Sequence, residues 1–320
     1  MPKQQFEKVF IFLDTEKHAS AFDILTTIDL FPRVSVLTYE NVTAEDAEKI
    51  IHDAMFPRGP EGAKHTKIFI DGHDFEQAND ILRRVQKSMF PPFELAVIID
   101  PRGAYTTASA AVAKTFELLL TKELGSLSGK TVSVLAGTGP VGQTAAKLYA
   151  VENAKVIVTS RSLQRASEIA TKINEELKTD RAQGVEAKTP EEVGRAIEQS
   201  EVILSAGAAG MQLLSSTVLK QFGKNCRVVV DINAIPPLGV ENLRAEADGE
   251  QIVPSVLGVG ALVVGKLKNK VEARLILRAA EEPRGIFDYK VAYEIAKNLV
   301  LEKRKEKKSD ETEHQKHWLP

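Results

Sequence analysis

Residues 137–142 read Gly137-Thr138-Gly139-Pro140-Val141-Gly142, directly after the apolar run 132–136 and directly before a helical pattern that opens at Pro140. In such a turn the first glycine makes the bend and the second lets a pyrophosphate approach the backbone. The third lets the helix pack on the strand, and the helix amino end faces the phosphates. A lone GxGxxG is a weak signal. Here a further strand pattern at 155–159 completes a strand, turn, helix and strand within about thirty residues, the context a dinucleotide-binding motif needs.

Strand-like apolar runs alternate with helical periodicity along nearly the whole chain, the signature of parallel α/β architecture. Before the glycine motif, strands are expected at 9–13, 34–38, 67–70 and 95–99, with helices at 19–28, 44–55 and 75–89. Thr43 precedes Glu45 and Asp46 as an N-cap should, because a side-chain oxygen and early negative charge both suit a helix amino end. A helix over 107–124 then runs into a polar stop at 125–129. Beyond it, strands are expected at 132–136, 155–159, 201–205 and 228–231, with helices at 140–150, 163–177, 263–280 and 289–303. The pattern predicts a two-lobed α/β protein. Residues 1–125 form an N-terminal parallel α/β substrate domain and 126–285 a Rossmann-type domain; 286–303 form a helix packing back on the first lobe, and 304–320 a charged tail.

A length of 320 residues suits two domains. The near balance of 42 Lys and Arg against 44 Asp and Glu gives no electrostatic footprint for nucleic acid. Cys226 is the single cysteine, which excludes a disulfide framework and fits a reducing cytosol. The first eight residues lack a secretory core, and the longest charge-free run, 202–219, is broken by Ser and Thr, so no membrane partner is expected. Cytoplasmic residence is the default. In the charged tail, His314 and His317 do not by themselves make a metal site.

The end of the second strand of a dinucleotide unit selects the cofactor, because Asp or Glu there binds a 2'-hydroxyl and repels a 2'-phosphate. This chain has Thr159-Ser160-Arg161-Ser162 instead. Arg161 can grip a phosphate bidentately and the hydroxyls can donate to it, so NADP is favoured and NAD is weaker. Ala206 and Gly207 end the next strand with small residues that admit a dinucleotide. Asp231 and Asn233 open a proline-fixed loop, 231–239, expected beside the nicotinamide. The expected cofactor set is therefore the six residues 137–142 with Ser160, Arg161, Ala206, Gly207, Asp231 and Asn233.

Acid–base candidates are sparse. Of the six histidines only His314 and His317 follow the dinucleotide motif, and the one Tyr with Lys four residues later is Tyr293 with Lys297 on the C-terminal helix. No His, Cys and carboxylate cluster has zinc spacing. Such a chain suits a hydride transfer that needs no proton acceptor. Oxidation of a methylene held between two nitrogens is one: a nitrogen lone pair expels the hydride and leaves a delocalised cation. The protein then has to align the two carbons and tolerate positive charge.

The runs 134–142, 231–239 and 257–262, together with Asp100 and Thr106-Thr107, resemble the NADP-dependent methylene-tetrahydromethanopterin and methylene-tetrahydrofolate dehydrogenases of methylotrophic bacteria. The resemblance extends over 10–297. It implies a cytoplasmic homo-oligomer that oxidises a methylene pterin C1 carrier to its methenyl form. Under it, Asp14, Asp23 and Asp100 fall on acidic positions of the family. Asp100 and Lys266 are the expected catalytic residues, and Asp14, Asp23, Thr107 and Lys268 the expected pterin contacts. The chain departs from the family pattern at Asp29-Leu30-Phe31-Pro32 and at Gly72-His73-Asp74, both in the pterin lobe. Three other readings stay open: the tetrahydrofolate enzyme, a shikimate-dehydrogenase-like reductase using Lys17, Lys64 or Lys67 with Asp100, and a non-catalytic NADP-binding sensor.

Overall fold

The computed structural model describes residues 5–316, with side chains over 5–305. The chain forms two compact units, one from residues up to 106 together with 269–292, the other from 107–268 together with residues from 293 on.

The first unit holds β1(Lys8–Asp14), α1(Ala21–Leu30), β2(Val34–Tyr39), α2(Ala44–Met55), α3(Gly59–Ala63), β3(Thr66–Asp71), α4(Phe75–Ser88), β4(Ala96–Ile99) and the start of α5(Ala104–Thr121). The second follows with β5(Thr131–Leu135), α6(Pro140–Val151), β6(Lys155–Ser160), α7(Leu163–Leu177), β7(Ala182–Glu186), α8(Pro190–Ile197), β8(Val202–Ser205), α9(Ser216–Phe222), β9(Val228–Asp231), β10(Asp248–Val253) and β11(Val256–Val259). Helix α10(Ala261–Glu281) leads back to the first unit, which gains β12(Gly285–Phe287), and α11(Tyr289–Lys316) ends in the second.

The first sheet runs β12-β4-β3-β1-β2 with every pairing parallel, so chain order reverses between β1 and β3. Both faces of such a sheet are covered, and its central strands are correspondingly apolar throughout. All six residues of β3 are buried, and Phe69 stacks on Phe12 of β1 at 4.8 Å between ring centroids. Strand β2 is the exposed edge. The second sheet runs β10-β11-β9-β8-β5-β6-β7, parallel except for the β10–β11 pair, and its order reverses between β5 and β8. Its core includes Leu135, Ile203, Val229 and Leu243. Open sheets of this kind bind ligands outside the strand carboxyl ends at the reversal point, so each unit has one address where a site belongs.

Several elements follow from capping chemistry. Thr43 and Asp46 exchange the reciprocal bonds of a capping box at the start of α2, and Ser162 accepts the Arg165 N–H at the start of α7. Helices α8 and α9 fill intervals between expected strands, whereas α3, β7 and the short β10, β11 and β12 have no counterpart in the sequence pattern. Strand β7 contains a mid-strand glycine and is only partly buried, and β12 has three residues, too few for a period.

The units do not divide where the polar stop at 125–129 predicts. Gly125 and Gly129, both with positive φ, make the turn between α5 and β5 wholly inside the second unit. The chain leaves the first unit within the continuous helix α5, which offers no compositional signal. The expected C-terminal helix on the first lobe is corrected too. Lys297 of α11 pairs with Glu152 at 2.7 Å and lies over the Phe116 ring, all in the second unit, while the first unit is completed by residues 269–292. Residues 304–316, expected as tail, continue α11; the side chains of 306–316, and residues 317–320 entirely, lie outside the described residues, with His314 and His317 among them.

Candidate functional site

In the second unit the turn after β5 is built backbone against backbone. A Cβ on Gly142 would lie 2.7 Å from Gly137 Cα, and one on Gly137 would lie 2.9 Å from Val134 O, so neither position admits a side chain without displacement. Gly139 differs: its nearest neighbour would be Ala136 O at 3.9 Å, so the space above it is free for a ligand. Ala136 takes a left-handed conformation, φ 52°, unfavourable for a residue with a Cβ. The end of β6 holds it there, since Thr159 Oγ1 accepts the Ala136 N–H at 3.1 Å and Thr159 O accepts the Gly137 N–H at 2.8 Å. Thr159 is thus committed to the turn rather than to a ligand.

A cleft of about 400 Å³ opens over this turn. Thr138 and Gly139 form one wall, Ser160, Arg161, Ser162 and Arg165 another, and Ala206, Gly207 and Ala208 a third. Pro140 and Val141 begin α6, so its amino end faces the cleft. Arg161 is exposed, and among the described residues no carboxylate pairs with it. These features fit a dinucleotide: a bare glycine under the pyrophosphate, a helix dipole toward it, and a guanidinium where a 2'-phosphate would lie.

Asp231 and Asn233 take another role than the one expected. Asp231 is buried and accepts the N–H groups of Asn233 and Val240 at 3.2 Å, and burial raises its pKa. Asn233 accepts from Gly210 and Ile235 and donates to Pro237 O at 3.0 Å. Their polar atoms organise the 231–239 loop, which contains the cis peptide Pro236–Pro237, and leave little for a cofactor.

In the first unit the reversal point carries acids. Asp14 ends β1, Asp71 ends β3, and the buried Asp23 sits in the first turn of α1, where Ser20 caps the helix. Asp23 is within hydrogen-bonding reach of both Asp71 and Glu272 of α10. Burial, then Glu272, pushes Asp23 up to about 7; burial, then the charge of Asp23, does the same to Asp71. Burial also raises Asp14, against the pull of the Glu16 N–H and of Arg102. Arg102 crosses the group, 3.4 Å from Asp14 and 3.5 Å from Asp71, from a left-handed backbone at φ 45° whose N–H donates to Asp71 at 2.6 Å.

Asp100 does not join this group. Wholly buried, it accepts the N–H groups of Tyr105 at 2.8 Å and Thr106 at 3.1 Å and the Thr106 hydroxyl at 2.6 Å, so it anchors the start of α5. The expected contact with a reacting centre is replaced by a positioning role. Lys67, offered as its partner, enters β3 at the opposite end and donates to the carbonyls of Lys64 and Glu282, with burial lowering its pKa to about 8. Lys17 and Lys64 are exposed. Thr107, Lys266 and Lys268 belong to the second unit, half-buried, exposed and half-buried respectively. Tyr293 and Lys297 meet Glu152 at the carboxyl end of α6, about 18 Å along that helix from the glycine turn.

Sequence reasoning missed Asp71, Glu272 and Arg102. Asp71 obeys the rule that selected Asp14, a carboxylate ending an apolar strand. Glu272 is hidden in a charged helix, and nothing in a sequence marks the left-handed turn at Arg102. Among the described residues no group of three or more His, Cys, Asp or Glu could hold a metal ion, and no helix is long and apolar enough to cross a membrane.

The fold and the cleft define a dinucleotide-binding α/β protein of two units. A family model for the N-terminal region of methylene-tetrahydromethanopterin dehydrogenase matches residues 21–102, and one for shikimate/quinate 5-dehydrogenase matches 118–249. The NAD(P)-dependent methylenetetrahydromethanopterin dehydrogenase of Methylorubrum extorquens is 34% identical over 288 residues, covering 89% of this chain and 96% of that protein. The Bifunctional protein MdtA of the same organism is 32% identical over 296 residues, covering 92% and 99%. Among solved structures, quinate dehydrogenase from Corynebacterium glutamicum in complex with NAD superposes with a TM-score of 0.48 at 11% identity, covering 91% and 99%. The chain belongs to the methylene-tetrahydromethanopterin dehydrogenase family.

Two predictions follow from this geometry. Gly139→Ala, at an ordinary φ of −75°, should leave the thermal midpoint unchanged or slightly raised while weakening NADP and NAD alike by about tenfold, as melting curves and calorimetric titration will read. The first-unit acids have folded pKa values above the unfolded value of 3.8, so from about pH 4 to about pH 7 the folded chain keeps protons that the unfolded chain has lost. Their contribution to stability therefore falls as pH rises through that window. Urea midpoints across the window should decline in the wild type and less steeply in Asp23→Asn; equal slopes would refute the assignment.

Proposed function

We propose that this chain transfers a hydride from the methylene group of methylene-tetrahydromethanopterin to NADP+, giving the methenyl form. The observation that carries the reading is the 34% identity to a methylenetetrahydromethanopterin dehydrogenase across nearly the full length of both proteins. When bound, NADP+ supplies the hydride acceptor. The C–H bond of the methylene breaks, its electron pair leaves as hydride, and a flanking nitrogen lone pair forms the new C=N bond, so no protein base is required.

The chain's own residues then bind and orient. Gly137, Thr138, Gly139 and the amino end of α6 hold the pyrophosphate, Arg161 with Ser160 holds the 2'-phosphate, and Ala206 and Gly207 let the dinucleotide pass. The first unit serves as the pterin domain, with Asp14 and Asp23 toward the pterin ring. A carboxyl group near its pKa at neutral pH can accept from a ring N–H and donate to a ring carbonyl, and a carboxylate nearby favours a cationic product. The enzyme is taken to be a cytoplasmic homo-oligomer. A shikimate-type reductase has less support, because Lys67 and Asp100 stand at opposite ends of the first sheet.

The test is a paired assay of the protein with NADP+ and the methylene form of either tetrahydromethanopterin or tetrahydrofolate, read as rising methenyl and NADPH absorbance. Faster turnover on the methanopterin carrier is expected; no turnover on either would favour the sensor reading. Arg161→Ala should weaken NADP by about 1 to 3 kcal/mol and NAD much less, the loss of a charged hydrogen bond. Equal losses would contradict the role of Arg161.

A further inference from the structure

Glu186 ends β7 in register with Ser160 at the end of β6, and the next residue, Ala187, donates its N–H to Ser160 O at 2.8 Å. From there the Glu186 carboxylate reaches the amino end of α7. Its Oε1 accepts the N–H of Leu163 at 3.3 Å and pairs with Lys188 Nζ at 2.8 Å. Leu163 is the first residue of α7, two positions past Arg161, and Ala187 lines the same cleft as Arg161 and Arg165. A helix amino end beside a guanidinium is where a 2'-phosphate would settle. Here the chain has placed an anion of its own against that helix end, and a lysine against the anion.

We propose that Glu186 and Lys188 set the ratio of NADP to NAD binding. Glu186 holds a helix-terminal amide and a negative charge near the adenine ribose, which disfavours a 2'-phosphate and leaves a 2'-hydroxyl tolerated; Lys188 masks that charge so that the phosphate is still admitted. The proposal rests on the cofactor cleft argued above and adds to the attraction of Arg161 an opposing element, the kind of contact by which sites separate similar ligands. Glu192 does not duplicate it, because its carboxylate closes the amino end of α8 by accepting the N–H groups of Lys188 at 2.7 Å and Thr189 at 2.9 Å. The Glu186 and Lys188 side chains are 36% and 53% exposed, and an exposed pair adds little to stability, so both can be changed without unfolding the chain.

Calorimetric titration of the full chain with NADP+ and with NAD+ tests this, with melting curves to confirm that each variant is folded. Glu186→Gln should tighten NADP about fivefold with NAD changed less than about twofold. Lys188→Gln should weaken NADP about fivefold and spare NAD, and the double variant should bind NADP as tightly as Glu186→Gln alone, because Lys188 acts through Glu186 and has nothing to mask without it. A ratio within about twofold of wild type in both single variants overturns the proposal. So does a double variant weaker toward NADP than Glu186→Gln by the full factor that Lys188→Gln costs the wild type, which would make Lys188 a direct phosphate ligand independent of Glu186. A wild-type chain that takes up neither dinucleotide overturns the cofactor reading and this proposal with it.

Discussion

The contact on which the second unit depends is that between Gly142 and the Gly137 backbone. It brings the amino end of α6 down on the turn after β5 and leaves no room for a side chain on Gly142, while Val134 and Val158 exclude one from Gly137. The turn can close only because Ala136 accepts a left-handed backbone, and it accepts that because Thr159 on the neighbouring strand holds two consecutive N–H groups. Strand register, turn shape and helix position are thus one arrangement. Arg161, proposed above to distinguish the cofactors, is mounted on the rim of this fixed frame, where a side chain can vary without disturbing it.

Much of this was legible in the sequence. Strand β9 and helix α7 lie at the residues their patterns predict, and α2 begins at the predicted Thr43 cap, because each is bounded by strong local chemistry. The glycine motif could be read because every glycine in it has a mechanical task. What was not legible depends on contacts between residues far apart in sequence. Glu272 comes to Asp23 from 249 positions away, and no local pattern foretells it. Asp100 was correctly noticed as a carboxylate at a strand end. Whether such a carboxylate faces a ligand or the next helix depends on the path of the chain after it, and here Tyr105 and Thr106 turn back to claim it.

The acidic residues show the same limit from the energetic side. Counted in the sequence they belong to a nearly neutral balance, and composition does not separate Asp23 from Asp29. Folded, Asp23 is nine-tenths or more removed from water beside two further acids, whereas Asp29 remains exposed. Burial alters their chemistry more than their number does: groups that would be fully ionised in solution sit close to half-protonation at neutral pH. The scarcity of histidine therefore does not mean that the folded chain lacks groups able to exchange a proton near neutrality. The hydride chemistry simply makes no demand on them as bases.

Strand β12 carries a consequence for how the chain is made. It covers the outer edge of β4, whose four residues are all buried, and the Glu282 carbonyl just before it receives the buried ammonium of Lys67. Both follow every strand of the second sheet in the chain. While the ribosome is still making the second unit, β4 presents a bare apolar edge and Lys67 lacks one of its two acceptors, a condition that invites strand pairing between nascent chains. The amino-terminal unit is therefore the last of the two sheets to be finished, although it is the first to be synthesised.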